Sequence, residues 1–165
     1  MPIGMLHHKV AELCDRRLLQ LIRYAHSSYG LRQIGWVGDP TADVSLHVDA
    51  DADLAGGAAT QRSTTGVRLT LQGTNANFPL SGASKRQSCV SCSTPEAEIV
   101  CGHYAHTNAL TPAMDLWAAL LPSGFSPVFH EDSQAMIHVI KTGRTPTMRH
   151  LYRIHRVSVA WLHER

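Results

Sequence analysis

A length of 165 residues, with 44% hydrophobic and only 17% charged residues, suits one domain with a buried core and excludes a charge-driven disordered chain. No apolar run approaches the ~20 residues that span a bilayer, and the opening MPIGMLHHKVAEL lacks the apolar stretch of a signal peptide, so an intracellular protein that does not enter the membrane is expected. The net charge of +2 is unevenly placed: Glu164 is the only acid after Asp132, against Lys141, Arg144, Arg149, Arg153, Arg156 and Arg165, a basic stretch that suits a polyanion or a solvated helix face.

In chain order, residues 7–26 carry Val10, Leu13, Leu18, Leu21 and Ile22 among basic residues, an amphipathic helix. Gly30, Gly35, Gly38 and Pro40 mark a loop or short hairpin. Residues 44–51 alternate: Val44, Leu46, Val48 and Ala50 share one face, and Ser45, His47, Asp49 and Asp51 the other, as in a half-buried strand. Ala55-Gly56-Gly57-Ala58 turns the chain into a second strand at 67–72. Phe78 to Ser81 is a third, where Pro79 removes a ladder donor and argues for an edge or a bulge.

Ser93-Thr94-Pro95-Glu96 predicts a helix start, with Ser93 as cap, Pro95 in the first turn and Glu96 three residues on, as a capping box requires. That helix is expected to run to about Leu110. A second follows Pro112, with Met114, Trp117, Leu120 and Leu121 as its apolar stripe, and stops near Pro122-Ser123-Gly124. Pro127 to Glu131 reads as a short strand ending at Asp132, and Ser133 caps a brief helix to about Lys141. Thr147 to His163 reads as one final helix burying Leu151, Ile154, Val157 and Trp161. Strands followed by helix, helix, strand, helix, helix give an α/β layer fold on a mixed sheet.

Three acids fall at element ends: Asp51 and Asp132 after strands, and Glu98 in the first turns of a helix. Side chains at such ends can meet in an α/β sheet. Like charges a few ångströms apart repel unless a proton or cation intervenes, and all-oxygen carboxylate clusters select Mg²⁺ or Mn²⁺. Isolated acids there equally serve as caps or solvated surface. Cys89, Cys92, Cys101 and His103 are a second candidate set, for structural zinc, against four ordinary reduced cysteines, Cys14 among them.

Asp51-Ala52-Asp53-Leu54-Ala55-Gly56 with Gln61-Arg62-Ser63-Thr64-Thr65-Gly66 resembles the DADWAG…RRSTSG signature of copia-type LTR retrotransposons. Ser84-Lys85-Arg86-Gln87 resembles their SKKQ, Ser93 to Glu98 their SSTEAE, and Asp132-Ser133-Gln134-Ala135 their DNQSA. These motifs belong to the ribonuclease H domain that ends the retrotransposon reverse transcriptase polyprotein. Residues 8–24 look like the helix that closes the reverse transcriptase, and His150 with Arg153 to Glu164 is similar to the family's KHIDIRYHFIRE helix.

The resemblance implies two parts: an N-terminal helical segment over 1–40 and a ribonuclease H-like domain over 41–165. It implies an endonuclease that hydrolyses the RNA strand of RNA/DNA hybrids with Mg²⁺ or Mn²⁺ at two sites. Asp51, Glu98 and Asp132 are the implied metal ligands and catalytic residues. Glu96 is the alternative to Glu98, although the capping box already employs it; Asp53 reads as a turn former and Asp49 as an electrostatic neighbour. Arg62, Ser63, Thr64, Lys85, Arg86 and Gln134 are the implied nucleic-acid contacts, and a reverse transcriptase domain and a second copy of the chain are possible partners. The chain departs from the family pattern at Leu54, Pro79 and Tyr152, and stops before the family's last strand, C-terminal helix and fourth carboxylate. One metal site would then be incomplete. The other reading is an inactive remnant that binds nucleic acid or a partner protein.

Overall fold

The computed structural model describes residues 3–57, 59–120 and 126–165. The chain divides into two compact units, Met1–Gln33 and Ile34–Arg165. The first is helix α1, Ile3–Ser28, whose Leu13, Leu18, Leu21 and Ile22 are exposed. No helix among the described residues is long and apolar enough to cross a membrane.

The second unit is α/β. Strands β1 (Trp36–Val37), β2 (Ser45–Asp53), β3 (Thr64–Gly73), β4 (Ala76–Arg86) and β5 (Val128–His130) form one mixed sheet in the order β1-β4-β3-β2-β5. The β2–β5 pair is parallel and the others antiparallel. β1 stands where a loop or short hairpin was expected, pairing Trp36 and Val37 with Asn77 and Ala76. β4 runs well past the predicted 78–81, and its ladder with β3 shifts register where Thr70 meets Pro79. A ring that cannot donate to a ladder is accommodated there as an irregularity.

The alternation in β2 fixes which face is buried. Leu46, Val48, Ala50 and Ala52 are buried, whereas His47 and Asp49 are half-buried and Asp51 and Asp53 exposed. Val67 and Leu69 extend the apolar face, and α2 (Thr94–Ala105) covers it with Ala97, Cys101 and Ala105. A second cluster, Ile99, Met136, Val139, Leu151, Val157, Val159 and Leu162, packs the back of α2 against α4 (Gln134–Thr142), α5 (Leu151–His155) and α6 (Val159–His163). The flexible end of Met136 fills the space that a Cβ at Gly102 would take.

Two helix expectations change. The predicted break before Pro112 is absent: α2 passes through a wide turn at His106–Leu110 directly into α3 (Thr111–Leu120). A turn of i→i+5 bonding suits a proline that lacks the N–H for an ordinary one. The stop predicted near residues 122–124, and Leu121 of the stripe, lie outside the described residues. The predicted final helix is two, because Arg156 takes left-handed φ of 60° and Ser158 restarts the chain by accepting from the Trp161 N–H. As a result Ile154, expected to be buried, is 49% exposed, and Val159 and Leu162 fill the core instead.

Candidate active site

The site begins at the end of β2. β5 pairs only with His47, Val48 and Asp49, so beyond Asp49 the edge of β2 that faced it is open. Glu98, on the first turns of α2, comes to this opening, where the Ala52 N–H bonds its carboxylate. Asp51 belongs to the face of β2 that points away from α2. Asp51 and Glu98 thus flank the end of β2 from opposite faces. β5 stops at His130, opposite Asp49, and Glu131 and Asp132 follow at once.

Charge registers this convergence. Glu98 is 4% exposed, and its pKa is pushed up to about 7, first by burial and then by Glu131, Asp51 and Asp132. Burial also pushes Glu131 up to about 7, with Asp132 and Asp51 adding repulsion and the Ser133 N–H bond opposing it. Asp51, Glu131 and Asp132 are thus the charges that raise the pKa of Glu98, and Glu131 is one the sequence reading passed over. Glu131 belongs to none of the matched motifs; the signal that could have found it is its place directly after a strand that ends beside β2.

Glu96 stands apart from this cluster. Its Oε2 accepts from the Cys92 N–H at 3.0 Å, and its Oε1 lies 2.7 Å from His155 Nε2 and 3.1 Å from His150 Nε2. Burial alone would raise its pKa, yet these partners hold it below the usual carboxylate value. The expected capping box is present in altered form, since Ser93 Oγ accepts from the Glu96 N–H while Glu96 returns the bond to Cys92.

Asp53 forms the turn, accepting from the Gly56 N–H at 2.9 Å, and a Cβ at Gly56 would strike that carboxylate. Asp49 lies directly across from Arg68. His47, whose pKa burial lowers, stacks on His130 at 5.0 Å between ring centroids, with Nδ1 2.7 Å from His130 Nε2.

Of the implied nucleic-acid residues, Arg62, Lys85, Arg86 and Gln134 are exposed and Thr64 is half-buried. Register sets Arg86 against Thr64 and Thr64 against Asp53, so the basic end of β4 lies two strands, on the order of 10 Å, from the end of β2. Lys85 Nζ sits 4.8 Å from the centre of the Tyr104 ring. Ser63 is a correction: it is fully buried, and its Oγ accepts from the Ala55 N–H at 3.2 Å, so it shapes the loop instead of meeting phosphate. The zinc set is a second. The buried Cys101 thiol donates to the carbonyls of Asp51 and Gly66, and burial raises its pKa to about 11, which commits it to the core.

Comparison with family models, with curated proteins and with solved structures gives no match. The geometry therefore carries the chemical reading. Among the described residues, no three His, Cys, Asp or Glu side chains stand in metal-holding geometry. The donors themselves suit a hard divalent cation, being carboxylate oxygens throughout, and Glu98 Oε2 and Glu131 Oε2 are buried with no hydrogen-bond partner.

Proposed function

We propose that this chain is a ribonuclease H-like domain of the copia-type retrotransposon kind, which hydrolyses the RNA strand of RNA/DNA hybrids. The observation that supports the reading is the buried Glu98 beside the end of β2, where Asp51 and Asp132 both raise its pKa. Those are the acids that the motif series singles out. The strand order of the sheet, with β5 parallel beside β2, is compatible with that fold.

Asp51, Glu98 and Asp132 would hold Mg²⁺ or Mn²⁺. When bound, such a cation activates water and stabilises the leaving oxygen of a phosphodiester. Asp51 and Asp132, both exposed, face the substrate side, while Glu98 anchors the cluster from inside the fold. The Ala52 N–H bond and the packing of α2 fix the Glu98 carboxylate in place. Arg62, Arg86 and Lys85 supply phosphate contacts that position a duplex without reading its sequence, and Gln134, two residues from Asp132, is placed to bond a 2′-hydroxyl.

A second reading is a remnant that binds nucleic acid through the exposed basic end of β4 without cutting it. A strand-labelled hybrid incubated with the protein and Mn²⁺ separates the two. The expected result is cleavage of the RNA strand that falls about a hundredfold or more in Asp51→Asn. Hybrid binding without cleavage, or cleavage that persists in Asp51→Asn, would contradict the nuclease reading.

A further inference from the structure

With Cys101 committed to the core, Cys89 and Cys92 are left as two free thiols in the segment that joins β4 to α2. The chain bends at residues 88–89 and again at 92–93. Between the bends Ser91 is buried, and its Oγ donates to Gln87 Oε1 at 3.0 Å. The Gln87 side chain is buried too, and donates to Thr65 Oγ1 and to the Ala97 carbonyl. Residue 91 is thus folded back onto an anchored residue 87.

Both cysteines come to the same end of α5. Cys89 Sγ donates to the Ile154 carbonyl at 3.4 Å. The Cys92 N–H donates to Glu96 Oε2 at 3.0 Å, and Glu96 Oε1 lies 2.7 Å from Nε2 of His155, the residue after Ile154. A four-residue turn brings its ends within about 7 Å, and a disulfide asks for Cα atoms roughly 4–7 Å apart, so a loop bent in this way suits a bond between positions i and i+3. The two thiols differ in access: Cys92 is exposed, whereas Cys89 is half-buried with its S–H engaged. Thiol–disulfide exchange starts at the thiol that a reagent can reach and is completed by one held beside it.

We propose that Cys89 and Cys92 form a redox-active dithiol that exchanges with low-molecular-weight disulfides of the glutathione class. Cys92 attacks one sulfur of the reagent: a Cys92–glutathione bond forms, the reagent's S–S bond breaks, and one reduced glutathione leaves with the proton that Cys92 gives up. Cys89 then attacks Cys92 Sγ, the mixed disulfide breaks, and a second reduced glutathione leaves with the Cys89 proton. The two cysteines lose two electrons and two protons, and one glutathione disulfide gains them. Oxidation also takes the Cys89 S–H from the Ile154 carbonyl, so the loop gives up its own bond to α5. The site is independent of the nuclease reading.

The full chain is incubated with glutathione disulfide and a fixed level of reduced glutathione, quenched in acid, alkylated and read by peptide mass spectrometry. Every protein carries Cys14→Ser, because Cys14 is exposed and would react by itself. The expected result is a Cys89–Cys92 disulfide with no glutathione retained, whereas Cys89→Ser keeps one glutathione on Cys92. The ratio of closed to mixed disulfide is expected to be about tenfold or more lower in denaturing urea, where the loop is no longer held bent. Glutathione retained on Cys92 with Cys89 present, both thiols still fully alkylated, or a ratio unchanged by urea would each overturn the proposal. Should Cys89→Ser fail to fold, Cys89→Ala removes the same thiol and is held to the same outcomes.

Discussion

Glu98 and Glu131 carry a pH dependence whose sign follows from their surroundings. Both have folded pKa values raised from the ordinary 4.5 to about 7. A raised carboxylate pKa means that the folded state holds the proton more tightly than the unfolded chain does. The cost of ionisation is then absent below about pH 4.5, grows up to pH 7 and is complete above it. Glu98→Gln keeps the shape and removes the charge. At pH 8 without divalent cation we expect this variant to be more stable by about 1–2 kcal/mol after solvent screening, or a melting temperature higher by roughly 3–6 °C. The gain should vanish near pH 4.5. Melting curves at the two pH values check it, and a lower melting temperature for the variant at pH 8 would contradict the repulsion. At this scale the placing of Asp51 late in a strand, Glu98 early in a helix and Asp132 just after a strand was legible, because alternation and a cap mark those elements. Glu131 was not, because its burial depends on where β5 stops, and Ser63 was misplaced because a serine beside an arginine looks like a phosphate contact until its burial is known.

The start of α2 shows how far local signals reach. Ser93, Pro95 and Glu96 announce a helix and its first residue from four positions. What they cannot announce is that Glu96 ties α2 to residues on the far side of the chain. Its carboxylate and the His155 imidazole are 2% and 1% exposed, and their bond spans 59 positions of sequence. Truncating one partner leaves a buried charge short of a bond. We expect His155→Ala to cost about 1–3 kcal/mol in urea denaturation, toward the lower end because His150 also reaches Glu96 Oε1 at 3.1 Å. A cost below measurement error would show that the pair is not a structural tie. The acid side has a sign of its own: the lowered pKa of Glu96 means its contribution is present above the ordinary carboxylate range and lost as pH falls through the folded value. The wide turn at His106–Leu110 and the break at Arg156 were illegible for a related reason. Each is a local departure from helical bonding that tertiary packing selects, and the 3.6-residue period runs through both.

Across the molecule, the α/β class and the pairing of β2 with β3 could be read from alternation, whereas the sheet order could not. Placing β5 parallel beside β2 requires the chain between them to cross over through α2 and α3. That crossover is what brings residue 132 to residue 51, and no periodicity encodes it. The architecture concentrates four carboxylates at one end of the sheet, beside an exposed basic end of β4. Like charges arranged in this way repel at neutral pH, and on the proposed nuclease reading a bound divalent cation would relieve that repulsion. Titration of the full chain with Mg²⁺, followed by carbon-13 NMR of the side-chain carboxyls, tests this claim most directly. We expect the signals of Asp51, Glu98 and Asp132 to move together along one binding curve, with the apparent pKa of Glu98 falling from about 7 toward the ordinary value. Carboxyl signals that stay fixed through saturating Mg²⁺, with Glu98 still titrating near 7, would contradict it.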